Sequence, residues 1–76
     1  MNEIYLSGLN LKTFTEQDAL DYCLLNNINS DNITELYLHN NELTDITGVK
    51  LFKNVEYLDI ANNELTDINI KKFNTA

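Results

Sequence analysis

The sequence predicts an α/β fold: a short right-handed repeat solenoid of about three turns, with a parallel three-stranded sheet on its concave face and one longer helix in the first turn. Three observations predict it. Ile33–Asn54 written above Val55–Ala76 aligns in a 22-residue frame, so that Leu36 meets Leu58, Leu38 meets Ile60 and Asn41 meets Asn63. The run Asn40–Ile46, N-N-E-L-T-D-I, recurs unchanged at Asn62–Ile68. Each frame opens with an alternation of apolar and outward residues, the period of a strand. A repeat of this length cannot bury its apolar face alone and must stack on its neighbours.

The 76 residues are expected to form one domain of three repeats, 1–32, 33–54 and 55–76. In the first, Ile4 and Leu6 take the places of Leu36 and Leu38, and Leu11 and Phe14 those of Leu43 and Ile46, at an offset of 32 residues. The longer offset accommodates a helix over about 15–27, capped by Thr15, with Glu16 and Asp18 at its positive end. Its buried face is expected to carry Leu20, Cys23 and Leu24, and the helix to cover the open N-terminal end. Asn26-Asn27 ends it. The later repeats have room only for a short 3₁₀ or α turn near Gly48–Phe52. Leu43 with Ile46, and Leu65 with Ile68, are expected to bring the returning chain over one core.

The pattern L-x-x-L-x-L-x-x-N-x-L, read from Ile33 to Leu43 and again from Val55 to Leu65, resembles that of leucine-rich repeats. The continuation Thr44–Val55 is similar to the 22-residue internalin-type bacterial class, whose turns run D-I-x-P-L-x-x-L-x-N-L. Gly48 stands where that class has proline, which is expected to loosen the corner. In the last repeat Lys71 and Asn74 replace Val49 and Phe52, and Ile70 and Phe73 are expected to close the core there. The resemblance implies that Asn41 and Asn63 are structural, turning inward to hydrogen-bond backbone groups whose burial unpaired costs roughly 1–3 kcal/mol each. Leu9 holds that place in the first repeat.

The alternation assigns an outward face. The first strand presents Glu3, Tyr5 and Ser7, the second Glu35, Tyr37 and His39, and the third Tyr57, Asp59 and Ala61. Tyr5 is expected to stack beside Tyr37 with Tyr57 diagonally close, since parallel strands lie about 4.8 Å apart. Tyrosine is a good strand residue in its own right, but it is also enriched at interface hot spots. Glu42 repeats as Glu64 and Asp45 as Asp67, so one rim is expected to be acidic. Asp45 and Asp67 have a local capping role available to them; Glu42 and Glu64 do not, and are the better candidates for meeting a basic partner.

Twelve acids against five lysines, with no arginine, give a net charge of −7 at pH 7. That balance disfavours nucleic acid and anionic membranes and favours a basic protein surface. No signal peptide or long apolar run is read, so a cytoplasmic location is expected, in a bacterial cell or a phage-infected host given the richness in Asn, Ile and Lys. The sequon Asn32-Ile33-Thr34 is treated as chance. The single cysteine, Cys23, forms no intramolecular disulfide and reads as a small buried hydrophobe. His39 is the only histidine, and no zinc spacing, phosphate loop or nucleophile elbow occurs. No cofactor or metal is implied and no catalysis is expected.

The leading expectation is a non-enzymatic protein-binding module using Tyr5, Ser7, Glu35, Tyr37, His39, Tyr57 and Asp59, with Glu42 and Glu64 on the rim. One alternative is a small acidic phage-type inhibitor that blocks a nucleic-acid-handling defence protein such as a CRISPR effector, with stacked acids imitating phosphates. Another is a structural role as a fragment or an obligate homo-oligomer, through thinly capped ends or sheet edges.

Overall fold

The computed structural model describes residues 2–75, and the side chains of 2–71. The elements in order are strand β1 (Glu3–Tyr5), helix α1 (Glu16–Leu25), a 3₁₀ turn (Ser30–Asn32), strand β2 (Glu35–Tyr37), a 3₁₀ helix (Thr47–Leu51), strand β3 (Tyr57–Asp59) and helix α2 (Asp67–Thr75). The strands form one parallel sheet in the order β1-β2-β3. Its register sets Glu3 beside Glu35 beside Tyr57, Ile4 beside Leu36 beside Leu58, and Tyr5 beside Tyr37 beside Asp59. The ladder runs past the strand ends: the amides of Leu6 and Leu38 donate to the carbonyls of Tyr37 and Asp59, both at 2.8 Å.

The core lies under β1 and β2. Ile4, Leu6, Phe14, Ile33, Leu36, Leu38, Leu43, Ile46, Val49 and Phe52 are buried, with Ala19 and Cys23 from α1. The Phe14 and Phe52 rings stack at 6.2 Å. Val55, Leu58, Ile60, Leu65 and Ile70 pack against this cluster only in part. The expected role of Phe73 in closing it lies outside the described residues.

Each bend after a strand is made the same way. Gly8, Asn40 and Asn62 occupy equivalent places with φ of 68°, 58° and 57°, a left-handed conformation open to glycine and tolerated by asparagine. The next residue in the later bends is the inward asparagine. Asn41 Oδ1 accepts the amides of Leu9 (2.9 Å) and Leu11 (3.0 Å), while its Nδ2 donates to the carbonyls of Leu6, Leu38 and His39. Asn63 Oδ1 accepts the Leu43 amide, and its Nδ2 donates to Leu38, Ile60 and Ala61. Buried backbone groups that three adjacent bends would leave open thus acquire partners from two side chains.

Helix α1 starts at a reciprocal cap: Thr15 Oγ1 accepts the Asp18 amide and Asp18 Oδ2 accepts the Thr15 amide. These bonds hold the Asp18 carboxyl below its ordinary pKa, the Thr15 amide being the main cause. The helix ends at Asn26, with Asn27 in a left-handed conformation.

Four expectations are corrected or extended. First, α1 buries Ala19 and Cys23, not Leu20, Cys23 and Leu24; Leu24 and Leu25 are 79% and 86% exposed. Second, α1 packs on the Thr47–Leu51 3₁₀ helix of the following repeat, a contact the sequence did not suggest. Small side chains permit that close approach. Third, Gly48 tightens its corner instead of loosening it. Its amide donates to the Phe14 carbonyl at 2.7 Å, and a Cβ there would sit 2.3 Å from the Thr15 carbonyl oxygen. A proline would lose that donor. Fourth, the last repeat ends in an α-helix rather than a short turn. Ile68, expected to return over the core, is 66% exposed.

The fourth correction has a local cause. Asn69 Oδ1 accepts the Thr66 amide (3.0 Å), and Thr66 Oγ1 accepts the Asn69 amide (3.2 Å), a cap that starts a helix at Asp67. In the preceding copy Thr47 stands in the place of Asn69 and has no amide oxygen to offer. There Asp45 Oδ1 accepts the Thr47 amide and hydroxyl, and a 3₁₀ helix comes next. Asp67 is therefore the first residue of a helix and Thr66 its cap, so the capping role open to both aspartates is taken only by Asp45.

Candidate tyrosine-rich sheet face

The open face of the sheet gathers three of the four tyrosines. Tyr5 and Tyr37, in register on adjacent strands, stack with centroids 4.5 Å apart and planes 6° from parallel. Tyr57 sits on the diagonal, 5.5 Å from Tyr37 and tilted by 45°. His39 meets the Tyr37 ring edge-on at 6.3 Å. Tyr5 and Tyr57 are 60% and 51% exposed, while Tyr37, flanked on both sides, is half-buried. The group is a contiguous aromatic strip with an open surface. Offset and tilted ring pairs of this kind are worth about 0.5–1.5 kcal/mol beyond their buried area.

Carboxylates flank the strip. The Tyr5 hydroxyl donates to Glu3 and the Tyr37 hydroxyl to Glu35, each two residues back on the same strand. These hydrogen bonds, with smaller contributions from desolvation and nearby negative charge, push both phenols above their ordinary pKa. The same hydrogen bonds orient the two rings. The hydroxyl–carboxylate pairs escaped sequence reasoning, although the spacing E-x-Y, present as Glu3-Ile4-Tyr5 and Glu35-Leu36-Tyr37, was their signal: residues two apart in a strand share a face.

His39 Nδ1 lies 3.4 Å from Asp59 Oδ2 and is buried without a hydrogen bond. Asp59 Oδ1 also accepts the Ala61 amide, which fixes the carboxylate. Between β2 and β3 lies a shallow groove of about 480 Å³ lined by Thr34, Glu35, Tyr37, Glu56 and Tyr57. Thr34 and Glu56 were not singled out from the sequence, because each precedes its strand and falls outside the simple alternation.

The structure thus brings together Tyr5, Glu35, Tyr37, His39, Tyr57 and Asp59, with Ser7 half-buried beyond the end of β1. Glu42 and Glu64 stand apart, past the asparagine bends, where their amides donate to the carbonyls of Leu11 and Leu43. Lys12 Nζ lies 3.5 Å from Glu42 Oε1, an exposed pair that offsets part of the acidity there. Cys23 is buried, which pushes its thiol pKa up and away from reactivity.

Among the described residues, no three or more His, Cys, Asp or Glu side chains are grouped so as to hold a metal ion, and no helix is long and apolar enough to cross a membrane. No curated protein and no solved structure matches the chain. Residues 31–72 match the family model described as Leucine Rich repeats (2 copies). Such repeats generally mediate protein–protein interaction and are typically non-enzymatic. The matched segment spans more than half of the sequence and contains both copies of N-N-E-L-T-D-I, and the chain belongs to the leucine-rich-repeat proteins.

Proposed function

We propose that this chain is a non-enzymatic protein-binding module of one domain, a right-handed solenoid of about three turns of the internalin-type class. Its concave sheet face recognises a basic protein surface. One observation carries the reading: Tyr5, Tyr37 and Tyr57 form a continuous strip on the open sheet face, edged by Glu3, Glu35 and Asp59. Tyrosine supplies large contact area at low entropic cost and retains a polar tip. The carboxylates beside it select positive charge and speed encounter with it. Ser7 and His39 complete the face, and Glu42 and Glu64 extend its acidity along the rim.

The test is capture of a partner by the immobilised chain, followed by the affinity of that partner for Tyr37→Ala. Binding is expected to weaken by more than about 1 kcal/mol, as at a hot spot, and to fall further as salt rises. Affinity unchanged in Tyr5→Ala, Tyr37→Ala and Tyr57→Ala would overturn the assignment.

A second reading is favoured by the register of Glu3 and Glu35, which stack carboxylates on adjacent strands of a chain with net charge −7. In it, the module is a phage-type inhibitor acting in the cytoplasm that occupies the nucleic-acid groove of its target. Competition between the chain and a nucleic acid for the captured partner separates the two readings.

A further inference from the structure

We propose that the groove between β2 and β3 is an arginine subsite, taking one guanidinium from an extended basic segment of the protein partner. The inference rests on the sheet-face reading above and names the residue type that the face selects. The lining is chemically one-sided: two carboxylates (Glu35, Glu56), two phenol rings (Tyr37, Tyr57) and one threonine, with no lysine among them. Charge complementarity therefore calls for a cation, and the rings decide which cation. Glu35 and Tyr57 are register partners on adjacent strands, so a carboxylate and an exposed ring stand side by side.

A guanidinium is planar and weakly hydrated. It lies flat on a ring while its N–H fork addresses a carboxylate in the same plane. An ammonium ion is compact and strongly hydrated and gains less from such a wall. A metal ion is disfavoured by the absence, among the described residues, of a group of three or more ligating side chains.

The wall is also held in place. Tyr37 is stacked against Tyr5 on one side and touches Tyr57 on the other, and its hydroxyl is bound to Glu35 Oε1. A carboxylate has about four acceptor positions, so that bond leaves Glu35 able to accept the guanidinium. Tyr37 and Glu35 therefore enter the complex already ordered, which lowers the cost of binding.

The experiment titrates the isotopically labelled full chain with acetyl-Gly-Arg-Gly-amide, and with its lysine and citrulline counterparts, following backbone amide resonances. Shifts are expected at 34–37 and 56–59, with the arginine peptide bound roughly tenfold more tightly than the lysine peptide and the neutral citrulline peptide not bound. Glu35→Gln, which keeps an acceptor for the Tyr37 hydroxyl, is expected to lose most of the binding. Tyr57→Leu, which keeps the strand apolar, is expected to remove the preference for arginine over lysine. Equal binding of citrulline, shifts centred outside the groove, or Glu35→Gln binding as the parent chain would each overturn the subsite. If Tyr37→Ala loses the captured protein partner while the arginine peptide leaves the groove unperturbed, the subsite falls and the sheet-face reading stands.

Discussion

The heptapeptide N-N-E-L-T-D-I occurs twice in this chain, and its two copies end in different places. In Asn40–Ile46, the residues Asn41, Leu43 and Ile46 are buried, Ile46 to within 2%. In Asn62–Ile68, the matching Asn63 and Leu65 are half-buried and Ile68 is two-thirds exposed. The backbone shows why. The first copy is bonded on one side to the N-terminal frame, through Glu42 to Leu11, Thr44 to Lys12 and Phe14 to Asp45. On its other side it is bonded to the third frame, through Asn40 to Ala61 and Leu43 to Asn63. Among the described residues, the second copy's hydrogen bonds to another frame all run to 33–54, through Glu64 to Leu43, Asn62 to Asn40 and Asn63 to Leu38 and Leu43. In a stack, burial is conferred by neighbours, and the same seven side chains become core or surface accordingly.

Truncating the shared leucine is expected to separate the two copies most widely. Leu43→Ala is expected to destabilise the protein by about 2–5 kcal/mol, as for a fully enclosed leucine. Leu65→Ala is expected to lose less than about 1.5 kcal/mol, since part of its surface is already wet. Urea unfolding of both variants checks this, and equal losses would mean that the second copy is as enclosed as the first. The asparagines come next. Asn41→Ala leaves amides and carbonyls in two bends without partners and is expected to cost about 3 kcal/mol, whereas Asn63→Ala, reached by water, is expected to cost about 1 kcal/mol. Chemical denaturation at neutral pH measures both.

Two smaller effects concern the helices, one beyond each end of the stacked pair. Asn69→Thr restores the residue of the preceding repeat and removes the amide oxygen that caps α2. A loss of about 0.5–2 kcal/mol is expected, with a fall in far-ultraviolet helical signal. The smallest effect belongs to α1. The Asp18 carboxyl titrates below its ordinary value of 3.8 in the folded state because it accepts the Thr15 amide. Its contribution is present above the unfolded-state pKa and is lost as pH falls through the lower, folded one. Asp18→Asn is expected to flatten the acid limb of a stability–pH curve, and a curve unchanged by it would mean that the cap adds nothing to stability.

The 22-residue frame made much of the architecture legible. Aligning Leu36 with Leu58, and Ile4 with Leu36, is the same statement as the observed strand register. The illegible remainder depended on contacts that residue identity cannot encode. Nothing in Ile68 distinguishes it from Ile46 until the chain beyond it is known to form a helix. Apolar size points to Leu20 and Leu24 as the buried face of α1, whereas the face that is buried carries the small residues Ala19 and Cys23, in a helix packed on Thr47–Leu51. On the sheet, outward alternation located the tyrosines but did not reveal that two of them are tied to glutamates, nor that Thr34 and Glu56 complete a groove. Those features come from side-chain direction rather than composition.

The tyrosine face and the leucines of α1 are the two exposed apolar surfaces to compare, and the proposed function requires the tyrosine face. Mapping the captured partner onto the chain through amide resonances, with Tyr37→Ala and Leu24→Ala as matched variants, decides between them. The expected result is perturbation centred on β1, β2 and β3, with affinity lost in Tyr37→Ala and kept in Leu24→Ala. Perturbation centred on 20–25, with affinity lost in Leu24→Ala and kept in Tyr37→Ala, would contradict it.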